Sequence, residues 1–162
     1  MSDVFLGLGT NLGDRLQNLR DCQTALTELA PIVARSSLYE SEAWGYTEQA
    51  SFLNMALLVQ TRQSPLDFLR TLKDLERQLG RIESFRWGPR LIDIDILFFG
   101  ERIVAYPQLR IPHPYLHQRA FVLMPLAEIA PTLVHPLFNC TVQALLDKLP
   151  DSQGVRRCPL SL

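Results

Sequence analysis

The sequence predicts an α+β fold: a ferredoxin-like β-α-β-β-α-β antiparallel sheet with helices packed on one face and additions at the C-terminal end. Two segments of helical periodicity are separated by short apolar runs of strand type. The second and third strands follow each other with no helix between them, which argues against a doubly wound parallel sheet. A further apolar helix and a short amphipathic one come only after the fourth strand.

Val4 to Leu8 is a short apolar run ending in glycines and reads as a buried strand. Leu16, Leu19, Cys22, Leu26 and Leu29 recur at helical spacing, Asp14 stands at the N-cap position, and Pro31 ends the helix. Ile32 to Tyr39 reads as the second strand, SEAWGYTEQAS as a loop, and Phe52 to Gln60 as the third strand. Ser64 and Pro65 form a strong helix start, a capping hydroxyl followed by proline at the first helical position. Leu66, Leu69, Leu72, Leu75 and Leu79 carry that helix to Gly80, a natural stop.

Gly80 to Arg90 is an arginine-rich loop, and Leu91 to Phe99 is the fourth strand. Glu101 to Val104 is expected to pair with it as a short hairpin partner through Gly100. LRIPHPYLHQRAF is basic and broken by prolines. Ala120 to Ala130 reads as a buried helix restarted at Pro125, and Thr141 to Leu149 as a last amphipathic helix.

With 162 residues, 47% of them hydrophobic and 20% charged, the chain can form one domain with a real core. A net charge of −1 gives no global attraction to nucleic acid or an anionic membrane, so any anion site is local. No apolar run approaches the ~18 residues of a membrane span, and no signal peptide is evident at the N-terminus. Cys22, Cys140 and Cys158 are odd in number and far apart, and Cys22 falls on an apolar helix stripe. They read as core thiols of a reduced, cytoplasmic protein.

The chemistry is concentrated in RWGPRLIDIDIL, Arg86 to Leu97. Asp93 and Asp95 are two apart on a strand, so they project to one side with Cα atoms about 6.5 to 7 Å apart. Bare carboxylates so placed repel one another. A divalent cation removes the conflict, and Mg2+ suits a few carboxylates completed by water and phosphate oxygens. Arg81, Arg86 and Arg90 lie just upstream, and guanidinium is the preferred fork for phosphate. Carboxylates for metal beside arginines for phosphate suit transfer from a nucleotide. On the D-x-D pattern alone, a solvated acidic face paired with arginine is an equal reading.

RWGPRLIDIDIL resembles the signature of the 6-hydroxymethyl-7,8-dihydropterin pyrophosphokinases of folate biosynthesis. GLGTNLGDR, FLN at Phe52 to Asn54, IPHP at Ile111 to Pro114 and RAFVLMPLAEIAP at Arg119 to Pro131 match the same pattern in order. The resemblance covers nearly the whole chain and implies a single domain over residues 1–162. It implies transfer of pyrophosphate from ATP to the hydroxymethyl oxygen of a reduced pterin, with AMP released. Asp93 and Asp95 would hold two Mg2+ ions. Arg81, Arg90 and Trp87 would act in catalysis, and Glu76, Leu109, His113 and Arg119 would contact ATP. Phe52 and Phe121 would sandwich the pterin ring, Asn54 would read its edge, and Ser41, Glu42 and Trp44 would complete that pocket. The partners expected are ATP and the pterin, with no nucleic acid, no membrane and a monomeric chain. Some members carry Tyr at Phe52 and at Pro114, and Gln at Lys73.

Two rivals fail on local sequence. GLGTNLG lacks the third glycine of a dinucleotide fingerprint, since Leu12 occupies that place. It reads instead as a tight turn into the first helix, with Asn11 bonding local backbone. His113 and His117 have the spacing of a helical zinc pair, but Pro112 and Pro114 break any helix there. A non-catalytic nucleotide-binding module is the remaining alternative, and it has no use for paired metal carboxylates.

Overall fold

The computed structural model describes residues 1–42, 50–80 and 91–162. In chain order these form β1 (Ser2–Thr10), α1 (Arg15–Leu29), β2 (Ile32–Arg35), β3 (Tyr39–Ser41), β4 (Phe52–Thr61), α2 (Pro65–Gln78) and β5 (Asp93–Phe99). There follow β6 (Val104–Tyr106), β7 (Leu109–Ile111), a 3-10 turn (Leu116–Gln118), α3 (Ala120–Ile129), β8 (Val134–His135), β9 (Cys140–Thr141), α4 (Val142–Asp147) and β10 (Arg156–Arg157).

The helix starts follow the capping chemistry in the sequence. The Asp14 carboxylate accepts from the Gln17 N–H at 3.1 Å, and Ser64 Oγ accepts from the Asp67 N–H at 3.3 Å with Pro65 in the first turn. Both bonds satisfy donors that the first helical turn leaves without partners. Gly13 adopts φ +65°, in the left-handed region that lets the chain turn sharply from β1 into α1.

The main sheet is antiparallel, ordered β10-β3-β4-β1-β5, with β2 also pairing β4. The single second strand expected over Ile32 to Tyr39 is thus two strands. β2 lies beside Leu57 to Val59, and β3 beside Phe52 to Asn54. At the break, the Ser36 N–H donates to the Ala56 carbonyl and Ser36 Oγ accepts from the Ala56 N–H, both at 2.9 Å. Ser37 meanwhile turns its N–H and hydroxyl to the Glu128 carboxylate on α3. A serine pair therefore satisfies the backbone where the ladder is interrupted.

Helices cover both faces of the sheet, which corrects the expectation of a single covered face. On one face Val4, Leu6, Leu8, Leu57, Ile94 and Ile96 pack with Leu19, Cys22 and Leu26 of α1 and Phe68, Leu72 and Leu75 of α2. On the other, Phe5, Ala56, Leu97 and Phe98 pack with Leu123 and Leu126 of α3 and Val142 and Leu145 of α4. Strands buried on both sides read as nearly continuous apolar runs, as β4 and the end of β5 do. Cys22 lies in the first core, where burial pushes its thiol up to about 12, as a core thiol requires.

Three smaller corrections concern the C-terminal part. Val104 begins a strand that pairs with β7, forming a separate hairpin rather than a partner for β5. Pro125 sits inside an unbroken α3, where it removes the N–H that the Phe121 carbonyl would otherwise accept. The tail returns as β10 to pair with β3, extending the sheet by a strand that two exposed arginines gave no sign of.

Candidate active site

Strand alternation builds the site from the α3/α4 face. Along β1, Val4, Leu6 and Leu8 go to one core, while Phe5, Gly7 and Gly9 face the other way. Opposite them on β5, Asp95 pairs with Gly7 and Asp93 with Gly9. Between Phe5 and Leu6 the register slips. Phe98 pairs with Phe5 and Ile96 with Leu6, so Leu97 is the extra residue of a bulge. Leu97 and Phe98 therefore both enter the α3/α4 core, closing it just beyond the two aspartates.

The glycines leave space where side chains would stand. A Cβ at Gly9 would lie 3.3 Å from Asn54 Oδ1 and 3.6 Å from Phe52, and one at Gly7 would touch Leu97 at 3.5 Å. The result is a cavity of about 220 Å³ over the centre of the sheet. β1 forms its floor, Asp93 and Asp95 one wall, Phe52 and Asn54 of β4 another, and Arg119, Phe121, Val122 and Pro125 the roof. Ser41 and Glu42 border it at the end of β3.

Asn54 is buried, and its amide nitrogen donates to Ser41 Oγ at 2.8 Å and to the Tyr39 carbonyl at 3.4 Å. These bonds fix the amide flip and direct its oxygen toward Gly9, so the group offers an acceptor on the cavity side. Arg119 sits at the start of α3, its guanidinium 5.6 Å from the Phe121 ring centre and 5.2 Å from that of Tyr115. Burial lowers its pKa, and the nearby Asp95 charge works in the opposite direction. Gln153, from the tail, accepts from the Ala120 N–H at 3.0 Å and donates to the Gln118 carbonyl at 2.9 Å, capping α3 where Arg119 enters the cavity.

His113 is tied to the bulge, its N–H donating to the Leu97 carbonyl at 3.0 Å. Burial, with help from the Arg119 charge, pushes its pKa down to about 4, so the ring is neutral near pH 7. Nδ1 accepts from the Tyr115 N–H at 3.3 Å, which leaves the ring proton on Nε2 as a donor.

The structure thus brings together Ser41, Glu42, Phe52, Asn54, Asp93, Asp95, Arg119 and Phe121 around one cavity, with His113 hydrogen-bonded to its edge strand. Besides His113, two expected ATP contacts lie outside that lining. Glu76 is 1% exposed on α2, and its carboxylate accepts from the Ile94 N–H at 2.9 Å and pairs with Lys73 at 3.3 Å. It therefore supports β5 from the opposite face, between the two aspartates. Leu109 is buried in the α1/α2 core. Trp44, Arg81, Arg86, Trp87 and Arg90 lie outside the described residues. Gly7 and Gly9 were missed as site residues. Their signal was present, since glycines two apart in a strand bare one face just as the aspartates charge one.

The aspartates supply hard oxygen donors on one strand face, opposite residues without side chains. That partial ligand set fits Mg2+, which keeps water and substrate oxygens in its shell.

Residues 5–131 match the family model of 7,8-dihydro-6-hydroxymethylpterin-pyrophosphokinase (HPPK). The 2-amino-4-hydroxy-6-hydroxymethyldihydropteridine pyrophosphokinase of Aquifex aeolicus is 42% identical over 139 residues, 86% of this chain and 87% of that one. The protein of the same name from Methylorubrum extorquens is 42% identical over 159 residues, covering 97% and 99%. Folic acid synthesis protein FOL1 of Dictyostelium discoideum is 40% identical over 96% of this chain, which spans only 24% of that longer protein. A crystal structure of Plasmodium falciparum HPPK-DHPS with pteroate superposes with a TM-score of 0.72 at 20% identity, over 91% of this chain and 42% of that one, a likeness of fold. With the family model matching most of this chain and relatives this similar over nearly their whole length, the chain belongs to the 7,8-dihydro-6-hydroxymethylpterin-pyrophosphokinase family.

Proposed function

We propose that this chain transfers pyrophosphate from ATP to the hydroxymethyl group of 6-hydroxymethyl-7,8-dihydropterin, giving AMP and the pterin diphosphate for folate synthesis. One observation carries the reading. Two aspartates, an arginine and a pair of phenylalanines from different elements converge on one glycine-floored cavity. Membership of the family supplies the reaction. The new bond joins the hydroxymethyl oxygen to the β-phosphorus of ATP. The bond from that phosphorus to the α-phosphate oxygen breaks, AMP leaves with the electron pair, and one proton is released.

On this reading a flat heterocycle lies between Phe52 of β4 and Phe121 of α3, which both line the cavity. The Asn54 oxygen accepts from the N–H edge of the ring, and Ser41 holds the amide for that task. Asp93 and Asp95 are the residues that would hold Mg2+, two ions on this reading, and the chemistry bound Mg2+ supplies is neutralisation of phosphate charge. Arg119 gives a fixed positive charge at the same end of the cavity, and neutral His113 donates from Nε2 to a phosphate oxygen. Arg81, Arg90 and Trp87 complete the catalytic set on this reading, Trp44 the pterin pocket, and Glu76 and Leu109 serve ATP from behind the strand.

The sheet order, with β5 beside β1 and β4 between β1 and the divided strand β2–β3, supports the ferredoxin-like topology. No helix among the described residues is long and apolar enough to cross a membrane. We read the chain as one domain that acts as a cytoplasmic monomer. Nucleotide chromatography after incubation with ATP, Mg2+ and the reduced pterin tests the reaction. AMP appearing in step with pterin diphosphate is the expected result, and ADP as the sole nucleotide product would overturn it.

A further inference from the structure

The segment Thr10-Asn11-Leu12-Gly13-Asp14-Arg15 contributes nothing to the cavity lining, yet it holds two of the most buried polar side chains in the molecule. Thr10 is 0% exposed and Asn11 3%. Such groups are costly to bury unless bonded, so their partners indicate what they are for. Thr10 Oγ1 donates to the Leu91 carbonyl at 2.5 Å. Asn18, one turn into α1, donates to Thr10 Oγ1 at 3.1 Å, to the Leu12 carbonyl at 2.7 Å and to the Leu91 carbonyl at 3.3 Å. Asn11 donates to the Ala50 carbonyl at 3.2 Å, and Arg15 to the Ser51 carbonyl at 2.7 Å while paired with Glu40 at 3.0 Å.

Among the described residues, the acceptors named above that lie far along the chain, apart from the Glu40 carboxylate, are backbone carbonyls just ahead of a site residue. Leu91 precedes Asp93 by two residues, and Ser51 immediately precedes Phe52. We propose that the β1–α1 turn is a positioning device for both halves of the site: Thr10 and Asn18 fix the strand that carries Asp93 and Asp95, while Asn11 and Arg15 fix the start of the strand that carries Phe52 and Asn54. A carbonyl held by a side chain of a rigid helix start cannot drift, and site groups one or two residues later inherit that position. Because both sets of bonds leave one turn, the metal wall and the pterin wall share one reference point. The ligand assignment rests on the pyrophosphokinase reading; the anchoring does not.

The test separates the two halves. Thr10→Val keeps the shape and removes the hydroxyl, Thr10→Ser keeps the hydroxyl, and Arg15→Met removes the bond to Ser51. In the ligand-free protein, amide exchange in residues 91–96 is expected to quicken about fivefold or more in Thr10→Val and to return close to the wild-type rate in Thr10→Ser. Exchange in residues 51–55 is expected to quicken similarly in Arg15→Met, with residues 91–96 unchanged. In calorimetry, Thr10→Val should weaken a non-hydrolysable ATP analogue with Mg2+ about fivefold and leave the reduced pterin within about twofold, and Arg15→Met should do the reverse. Exchange that is unchanged in both variants, or ligand losses that are equal for the two ligands and follow a drop in Tm, would overturn the proposal. If wild-type protein binds neither ligand, the pyrophosphokinase reading fails, and the exchange result still decides the anchoring.

Discussion

On the α1/α2 face of the sheet, β1 places Val4, Leu6 and Leu8 beside Ile94 and Ile96 of β5, a stripe with no break in its apolar character. On the α3/α4 face the same two strands begin alike, with Phe5 beside Phe98, and then change to Gly7 and Gly9 beside Asp95 and Asp93. The first face is core along its whole length. The second is core at one end and cavity at the other, and the Leu97 bulge marks the boundary. A period of two lets one strand perform both tasks, since each residue serves only the face to which it points. The two like charges are tolerated because only one face is interrupted, while the other holds the strand down.

Paired substitutions on the two faces of β1 and β5 should separate their tasks. Asp95→Ala is expected to lower turnover on the order of 100-fold or more while leaving thermal stability close to wild type. Leu6→Ala, one residue from the partner of Asp95 but on the other face, is expected to cost about 2 to 5 kcal/mol of stability in denaturant titration. Loss of stability in Asp95→Ala as large as that in Leu6→Ala would show that the two faces are not specialised. A smaller effect is expected at the roof. Phe121→Ala should weaken the reduced pterin by roughly 1 kcal/mol beyond the buried area, and much more than it weakens ATP. Equal losses for both ligands in calorimetry would make Phe121 ordinary core.

A further expected effect is on pH. His113 has a folded pKa of about 4, below its unfolded value near 6.5. The unfolded chain therefore takes up the proton first. The stability tied to this group is fully present above pH of about 6.5 and is lost as pH falls toward about 4. In urea titrations across that window, His113→Gln should show a flatter acid limb than wild type. Identical slopes would mean that the imidazole is no better shielded when folded.

What the sequence made legible follows from local rules. Asp14 and Ser64 cap helices, the D-x-D pattern shares a strand face, and the ordered motifs mark the Phe52, Asn54, Arg119 and Phe121 positions that meet at the cavity. What stayed hidden was set by distant partners. Ser36 and Ser37 divide a strand because Ala56 and Glu128 satisfy them, and nothing nearby announces it. Val104 pairs with Ile111 across a tight hairpin rather than with β5, a choice set by residues that come later in the chain. Arg156 and Arg157 look like a solvated tail, yet they pair with β3, where Arg156 also meets the Glu40 carboxylate. Glu76 enters the site through the resemblance alone, and nothing beside it in the sequence announces that its carboxylate also accepts from the outer N–H of an edge strand.

On the proposed reading, the glycine-floored end of the α3/α4 face binds both substrates. Chemical-shift mapping of labelled protein with an ATP analogue, Mg2+ and the reduced pterin tests it directly. The shifts are expected to concentrate on Gly7, Gly9, Asn54, Asp93, Asp95, Arg119 and Phe121, with Leu19, Leu26, Phe68 and Leu72 of the opposite core nearly still. Perturbations centred on α1 and α2, or spread evenly over both faces, would contradict it.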